Sequence, residues 1–186
     1  MSALELDGHR LHATTDELQL ICQAISEVVY LLDAPVIPPQ LFAPPGDEGT
    51  ESRQAPVNLS LSRLLPDMSL DPKLAGELRE LTEDGLRTAK SERLVKVRTI
   101  LEQVGDYFED ADSACLVNVP PGEEWQWLGA INDVRLAIAA PRSDPARLVG
   151  NMENLAGEPT VRQVYDLLGA WQDSLLGALE DVPSGK

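Results

Sequence analysis

The sequence predicts an α+β domain, mainly α: a helical bundle carrying a small N-terminal β-hairpin. Three observations lead there. Two long helical patterns, Glu123 to Ala140 and Val161 to Leu179, carry all three tryptophans. A capping signal at Thr14 opens an apolar stripe of period 3.6 that runs to Leu32. An Asp7-Gly8 pair, a strong signal for a two-residue turn with positive φ, stands inside a short alternating stretch. The two tryptophan helices are expected to form the heart of the core.

Length and charge bound the rest. The chain has 186 residues, 43% of them hydrophobic, enough for one substantial core, so residues 1–186 read as a single domain. Thirty-one acids against 15 bases give a net charge of −16, which repels nucleic acid unless bases gather locally. No apolar run approaches the roughly 20 residues of a membrane span, and no basic segment followed by an apolar one marks a secretion signal. Cys22 and Cys115 sit inside apolar patterns without metal-ligand spacing, as buried free thiols of a reducing cytoplasm would.

In chain order, Ala3 to Ala13 reads as the hairpin, with Glu5 opposite Arg10 and Leu4 opposite Leu11. A lone hairpin is marginal in water, and Cys115 to Val119 is available as a third strand. Thr14 and Glu17 form a capping box ahead of Leu18, Ile21, Cys22, Ile25, Val28, Val29 and Leu32. Ala34 to Val57 carries six prolines, two glycines and several acids, which predicts a mobile surface loop; Val36-Ile37 and Leu41-Phe42 offer a partner-binding alternative. Leu59 to Leu65 reads as a short helix stopped by Pro66, and Asp71-Pro72 as the start of the next.

That next segment shows two stripes out of phase: Leu74, Leu78 and Leu81, then Leu94, Val97, Leu101 and Val104. Gly85 between them predicts a kink or two helices. The acidic stretch Gly105 to Ala114 lacks the ligand spacing of a calcium loop. In Glu123 to Ala140, Trp127, Leu128, Ile131, Val134 and Ile138 make the stripe, widened by Trp125, Leu136 and Ala139; Pro121 suits the first helical position and Pro141 stops the helix. Asp144-Pro145 predicts a short helix in the connection that follows. Val161, Val164, Tyr165, Leu168, Trp171, Leu175 and Leu179 make the face of the last helix.

Candidate functional residues fall into two groups. The first is a polar knot in the tryptophan helices: Asn132, Asp133 and Arg135, with Gln172 and Asp173 opposite. A guanidinium facing a carboxylate inside a helix pair is a strong directional contact, and Asp173 is the expected partner of Arg135. The knot reads either as a buried network that fixes helix register or as a polar pocket or interface. The second is a basic patch: Arg87, Lys90, Arg93, Lys96 and Arg98 put five of the chain's fifteen bases within twelve residues. It reads as a solvated face or as a docking patch for an acidic partner or a phosphate. His9 and His12 lie in the hairpin with no nucleophile motif beside them. No phosphate loop, dinucleotide fingerprint or metalloprotease motif is present, so neither a cofactor nor a metal is expected.

Four stretches carry a family resemblance: Trp127 to Leu136, Arg63 to Asp67, Thr82-Glu83-Asp84 through Lys90, and Tyr165 through Trp171-Gln172-Asp173-Ser174-Leu175. With the Asp-Gly turn at the start, their order and spacing resemble an actinobacterial family of unknown function. The resemblance implies a mostly helical cytoplasmic protein whose gene often lies beside the Clp protease adaptor and a metal-dependent isopeptidase. It supplies no catalytic residue. The reading is a cytoplasmic interaction or accessory protein linked to regulated proteolysis or gene control, with a protein partner, no nucleic acid and no membrane; a homodimer is compatible with it. The alternative is an enzyme or small-ligand binder working through Asn132, Arg135 and Asp173.

Overall fold

In a computed structural model, residues 9–33, 53–106, 113–139 and 158–180 are described. Their element order is β1 (His9–Thr14), α1 (Thr15–Asp33), α2 (Leu59–Leu64), α3 (Pro72–Gly105), β2 (Ala114–Val119), α4 (Glu124–Ile138) and α5 (Glu158–Glu180). The class is α+β, mainly α.

Strand β1 pairs antiparallel with β2, with Arg10 opposite Asn118, Leu11 opposite Val117 and Ala13 opposite Cys115. The expected third strand is therefore the direct partner of residues 9–14. Leu11, Ala13, Cys115, Val117 and Val119 point into the core and their neighbours point out, which is the period-2 alternation of a half-buried ribbon. The first arm of the expected hairpin, Ala3 to Gly8, lies outside the described residues. So do residues 34–52 of the proline-rich segment, most of the acidic stretch, Pro141 and the Asp144-Pro145 signal.

The capping box closes as expected. The Thr14 amide donates to Glu17 Oε2 at 2.8 Å, and the Glu17 amide donates to Thr14 Oγ1 at 3.3 Å. From there Leu18, Ile21, Ala24, Ile25, Val28 and Leu32 face inward, while Cys22 and Val29 sit at the margin. Helix α2 is capped by the Asn58 side chain on the Leu61 amide at 2.9 Å, and Ser60 ties it to α4 by donating to the Ala137 carbonyl at 3.1 Å. Asp71 caps α3, accepting from the Lys73 and Leu74 amides, with Pro72 in the first turn.

Helix α3 corrects the expected break. It runs unbroken through Gly85 as one helix of 34 residues. Only its second stripe, Leu94, Val97 and Leu101 with Val104 at the edge, joins the core. In the first half the buried positions are Ala75, Gly76, Arg79 and Glu83, while Leu74 and Leu81 face solvent. A Cβ placed on Gly85 would meet nothing within 4 Å. Gly85→Ala should therefore stabilise the protein by about 0.5–1 kcal/mol, because glycine in a helix interior costs that much in backbone freedom. A urea midpoint equal to or below that of the wild type would contradict it.

The core is shared more widely than between the two tryptophan helices. Helix α1 packs along α3, α4 packs on α5, and α2 and α3 both lean on α4. Trp127, Leu128, Ala130, Ile131, Val134, Ala137 and Ile138 of α4 meet Val161, Val164, Leu168, Trp171 and Leu175 of α5 in one cluster with α1, the second half of α3 and the sheet. The Trp171 indole N–H donates to the His12 carbonyl at 2.9 Å, tying α5 to β1. Two expectations for α4 are corrected. Trp125 is 68% exposed rather than part of the stripe. Pro121 lies in a turn, with Gly122 at φ 85°, so the chain reverses there and the helix starts at Glu124.

Candidate functional site

The polar knot of α4 and α5 divides into separate contacts. Asn132 is exposed. Asp133 is buried against α3, where its carboxylate takes Lys90 Nζ at 2.6 Å on one oxygen and the Arg93 guanidinium on the other. Gly129 makes room for this: a Cβ there would fall 2.8 Å from the Arg93 guanidinium, which crosses α4 at that point. Arg135 lies 4.3 Å above the Tyr165 ring and donates to Gln172 Oε1. The expected pairing with Asp173 is corrected, for Asp173 sits one residue, about 100°, further round α5 and faces solvent.

The basic patch is engaged inside the chain. Arg87 donates to Glu83 and to the Leu32 carbonyl, at 2.9 and 2.6 Å. Lys90 and Arg93 share Asp133. Lys96 meets Glu123 at 2.6 Å, and Arg98 meets Ser26 at 3.1 Å and Glu102 at 3.2 Å. These five side chains reach from α3 to α1, α4 and the turn before α4. Arg87 in addition supplies a positive donor to a carbonyl in the last turn of α1, where the helix dipole favours one.

A larger cluster meets the candidate residues singled out from the sequence at Arg87 alone. Glu83, with 2% of its surface exposed, accepts from Arg79 at 2.8 Å and Arg87 at 2.8 Å, with Arg53 at 3.3 Å. Arg79, also buried, donates to the Leu65 carbonyl at 3.1 Å and to Asp67 at 2.7 Å as well. Burial by itself would lower the Arg79 pKa, but its hydrogen bonds to Asp67 and Glu83 outweigh this and raise it. Arg53 continues to Asp84 at 2.9 Å, which anchors the end of the proline-rich segment. Three arginines thus balance three acids. The signal that could have revealed the ladder is Arg79, Glu83 and Arg87 at successive i, i+4 positions, with Asp67 and Glu83 inside two of the family-like stretches.

The cleft beside the ladder, lined by Pro66, Asp67, Met68, Arg79, Thr82 and Leu86 among others, has a volume of about 10 Å³. It would hold a single water, far less than a substrate pocket of some 300 Å³ or more. His9 Nε2 stands 3.8 Å from Glu124 Oε1, beyond hydrogen-bond length, and that oxygen accepts from the Gly122 amide at 3.0 Å instead. Among the described residues no group of three or more His, Cys, Asp or Glu is placed to hold a metal ion, and no helix is long and apolar enough to cross a membrane.

What the described surface does offer is apolar. Met68, Leu70, Leu74 and Leu81 are 53%, 103%, 46% and 82% exposed, all at the first half of α3 or the loop leading into it. Leu74, Leu78 and Leu81 fall within about 60° of arc on the helix. Met68 joins them from the loop, its sulfur 3.9 Å from the Thr82 hydroxyl.

No curated protein and no solved structure matches this chain. A family model does, over residues 1–179, and the chain accordingly belongs to the family described as a domain of unknown function, DUF2017.

Proposed function

We propose that this protein is a non-enzymatic interaction or accessory protein whose contact surface is the outward strip Met68, Leu70, Leu74 and Leu81. The exposure of those four side chains near one another carries the reading, because apolar side chains exposed as a group, unlike ones scattered singly, mark surfaces where a partner docks. The ladder beneath supports it: Arg79, Glu83 and Arg87 hold this half of α3 rigid with ion pairs, leaving its leucines free to face outward. An enzyme or small-ligand binder working through Asn132, Arg135 and Asp173 gains no such support, with Arg135 engaged by Gln172 and Tyr165 and the other two facing solvent. The five bases of the patch from Arg87 to Arg98 are likewise engaged, and the net charge of −16 disfavours nucleic acid. A reducing cytoplasm suits the free thiols of Cys22 and Cys115. A role in regulated proteolysis or gene control rests on the family resemblance alone.

The test is affinity capture from the native cell, comparing wild type with the double variant Leu70→Gln, Leu81→Gln. Both side chains are exposed, so the variant should fold as the wild type does. At least one captured protein should be lost with the variant. An unchanged set of captured proteins would remove the strip as the contact surface.

A further inference from the structure

We infer that the strip on α3 docks a basic amphipathic helix of a partner protein. The inference rests on the interaction reading above and goes on to name the chemistry of the partner. Its ground is the asymmetric border of the strip. On the helix, Leu74, Leu78 and Leu81 are followed round one side by Glu77, Asp84, Lys73 and Glu80, all exposed, with Asp84 paired to Arg53 at 2.9 Å and Lys73 4.0 Å from Glu77. Asp67 and Asp71 lie at the loop end. Between Asp67 and Asp84 the bases are Lys73 and Arg79. Arg79 is enclosed, its charge directed to Glu83 and Asp67, so Lys73 is the base of this stretch that reaches solvent. A partner therefore meets a leucine ridge whose flank carries more carboxylate than base, led by the exposed Glu77 and Glu80.

A helix with an apolar stripe and lysines or arginines beside it complements that surface in both respects. Helix packs on helix by setting its side chains between such ridges, and the outward half of α3 presents about three turns for this. A second copy of this chain fits poorly. It would bring the same acidic flank against itself, in a protein that already carries −16.

The probe is a synthetic amphipathic helix about five turns long, leucines on one face and lysines on the other, with a control in which every lysine is glutamate. Fluorescence anisotropy with the full chain should show the lysine helix binding at least tenfold tighter than its acidic counterpart, with the preference shrinking as salt rises. Leu70→Gln with Leu81→Gln should weaken the lysine helix roughly tenfold, and Glu77→Lys with Glu80→Lys should do the same while strengthening the acidic helix. Loss on charge reversal with indifference to the leucine pair would mean diffuse attraction to an acidic protein and would overturn the inference. Equal affinity for both helices would also overturn it.

Where the strip is covered can be read directly. A photo-crosslinker attached at Leu70→Cys is selective, since burial pushes the Cys22 thiol up to about 12 and Cys115 is buried. Adducts should form with the lysine helix. Adducts with a second copy, or with residues 34–52 of the same chain, that persist at saturating lysine helix would assign the strip to those occupants instead. If the native capture still depends on Leu70 and Leu81 while no basic helix binds, the partner chemistry is wrong and the interaction reading survives. If the capture is indifferent as well, both fall.

Discussion

Glu83→Ala should lower stability by about 3–5 kcal/mol, the cost of leaving buried charges without their counter-ion. Glu83 is the acid on which Arg53, Arg79 and Arg87 converge, and it is almost wholly enclosed. Removing it leaves Arg79 with Asp67 and one carbonyl, and takes the carboxylate from Arg87 while its bond to the Leu32 carbonyl stays. Marginal stability makes this large, since a domain holds only some 5–15 kcal/mol in all. Removing charge on both sides should hurt less. The double variant Arg79→Met, Glu83→Leu removes the most enclosed arginine together with the acid, but Arg53 and Arg87 still lose the carboxylate they share, so it should recover part of the loss and not all of it. Urea unfolding of wild type, Glu83→Ala and the double variant decides the matter. A single variant that loses less than about 1 kcal/mol would show that the ladder is ornamental to stability.

That ladder also marks the limit of what the sequence discloses. Periodicity finds elements whose buried face is apolar, and it did so for α1, α4, α5, the second half of α3 and the strands. The first half of α3 inverts the rule. Its leucines look outward and its inward face is Ala75, Gly76, Arg79 and Glu83, so the apolar stripe there points to a surface instead of the core. The apparent change of phase at Gly85 is the same fact seen in sequence. One continuous run of helix exchanges a polar contact with the Leu65 to Asp67 segment for an apolar contact with α1. Local turn chemistry, by contrast, was fully legible at Thr14 and Asp71, because a cap involves neighbours along the chain. Pairings across elements were not. Periodicity marks Asp133 and Arg135 as polar residues on an apolar helix, but which base or amide each meets depends on the packing of α3 and α5 against α4.

The core around the tryptophan helices supplies the second large effect. Trp171→Ala should cost about 3–5 kcal/mol, the range for truncating a large buried aromatic whose surroundings cannot close the gap. Trp171 is 3% exposed, lies in the shared cluster and reaches across to the first strand through its N–H. Two contributions can be separated. Trp171→Phe keeps a ring in the cavity but withdraws the donor from the His12 carbonyl, so it should cost roughly 1–3 kcal/mol, the penalty for a buried acceptor left unpaired together with some lost packing. Trp125→Ala is the control on the same scale: that indole is mostly in solvent, and its removal should stay within about 0.5 kcal/mol. Denaturant midpoints for the three variants give the order. If Trp171→Ala and Trp125→Ala shift the midpoint equally, Trp171 is not part of the core. If Trp171→Phe matches the wild type, the bond to His12 contributes nothing, and the sheet is held to α5 by apolar contact alone.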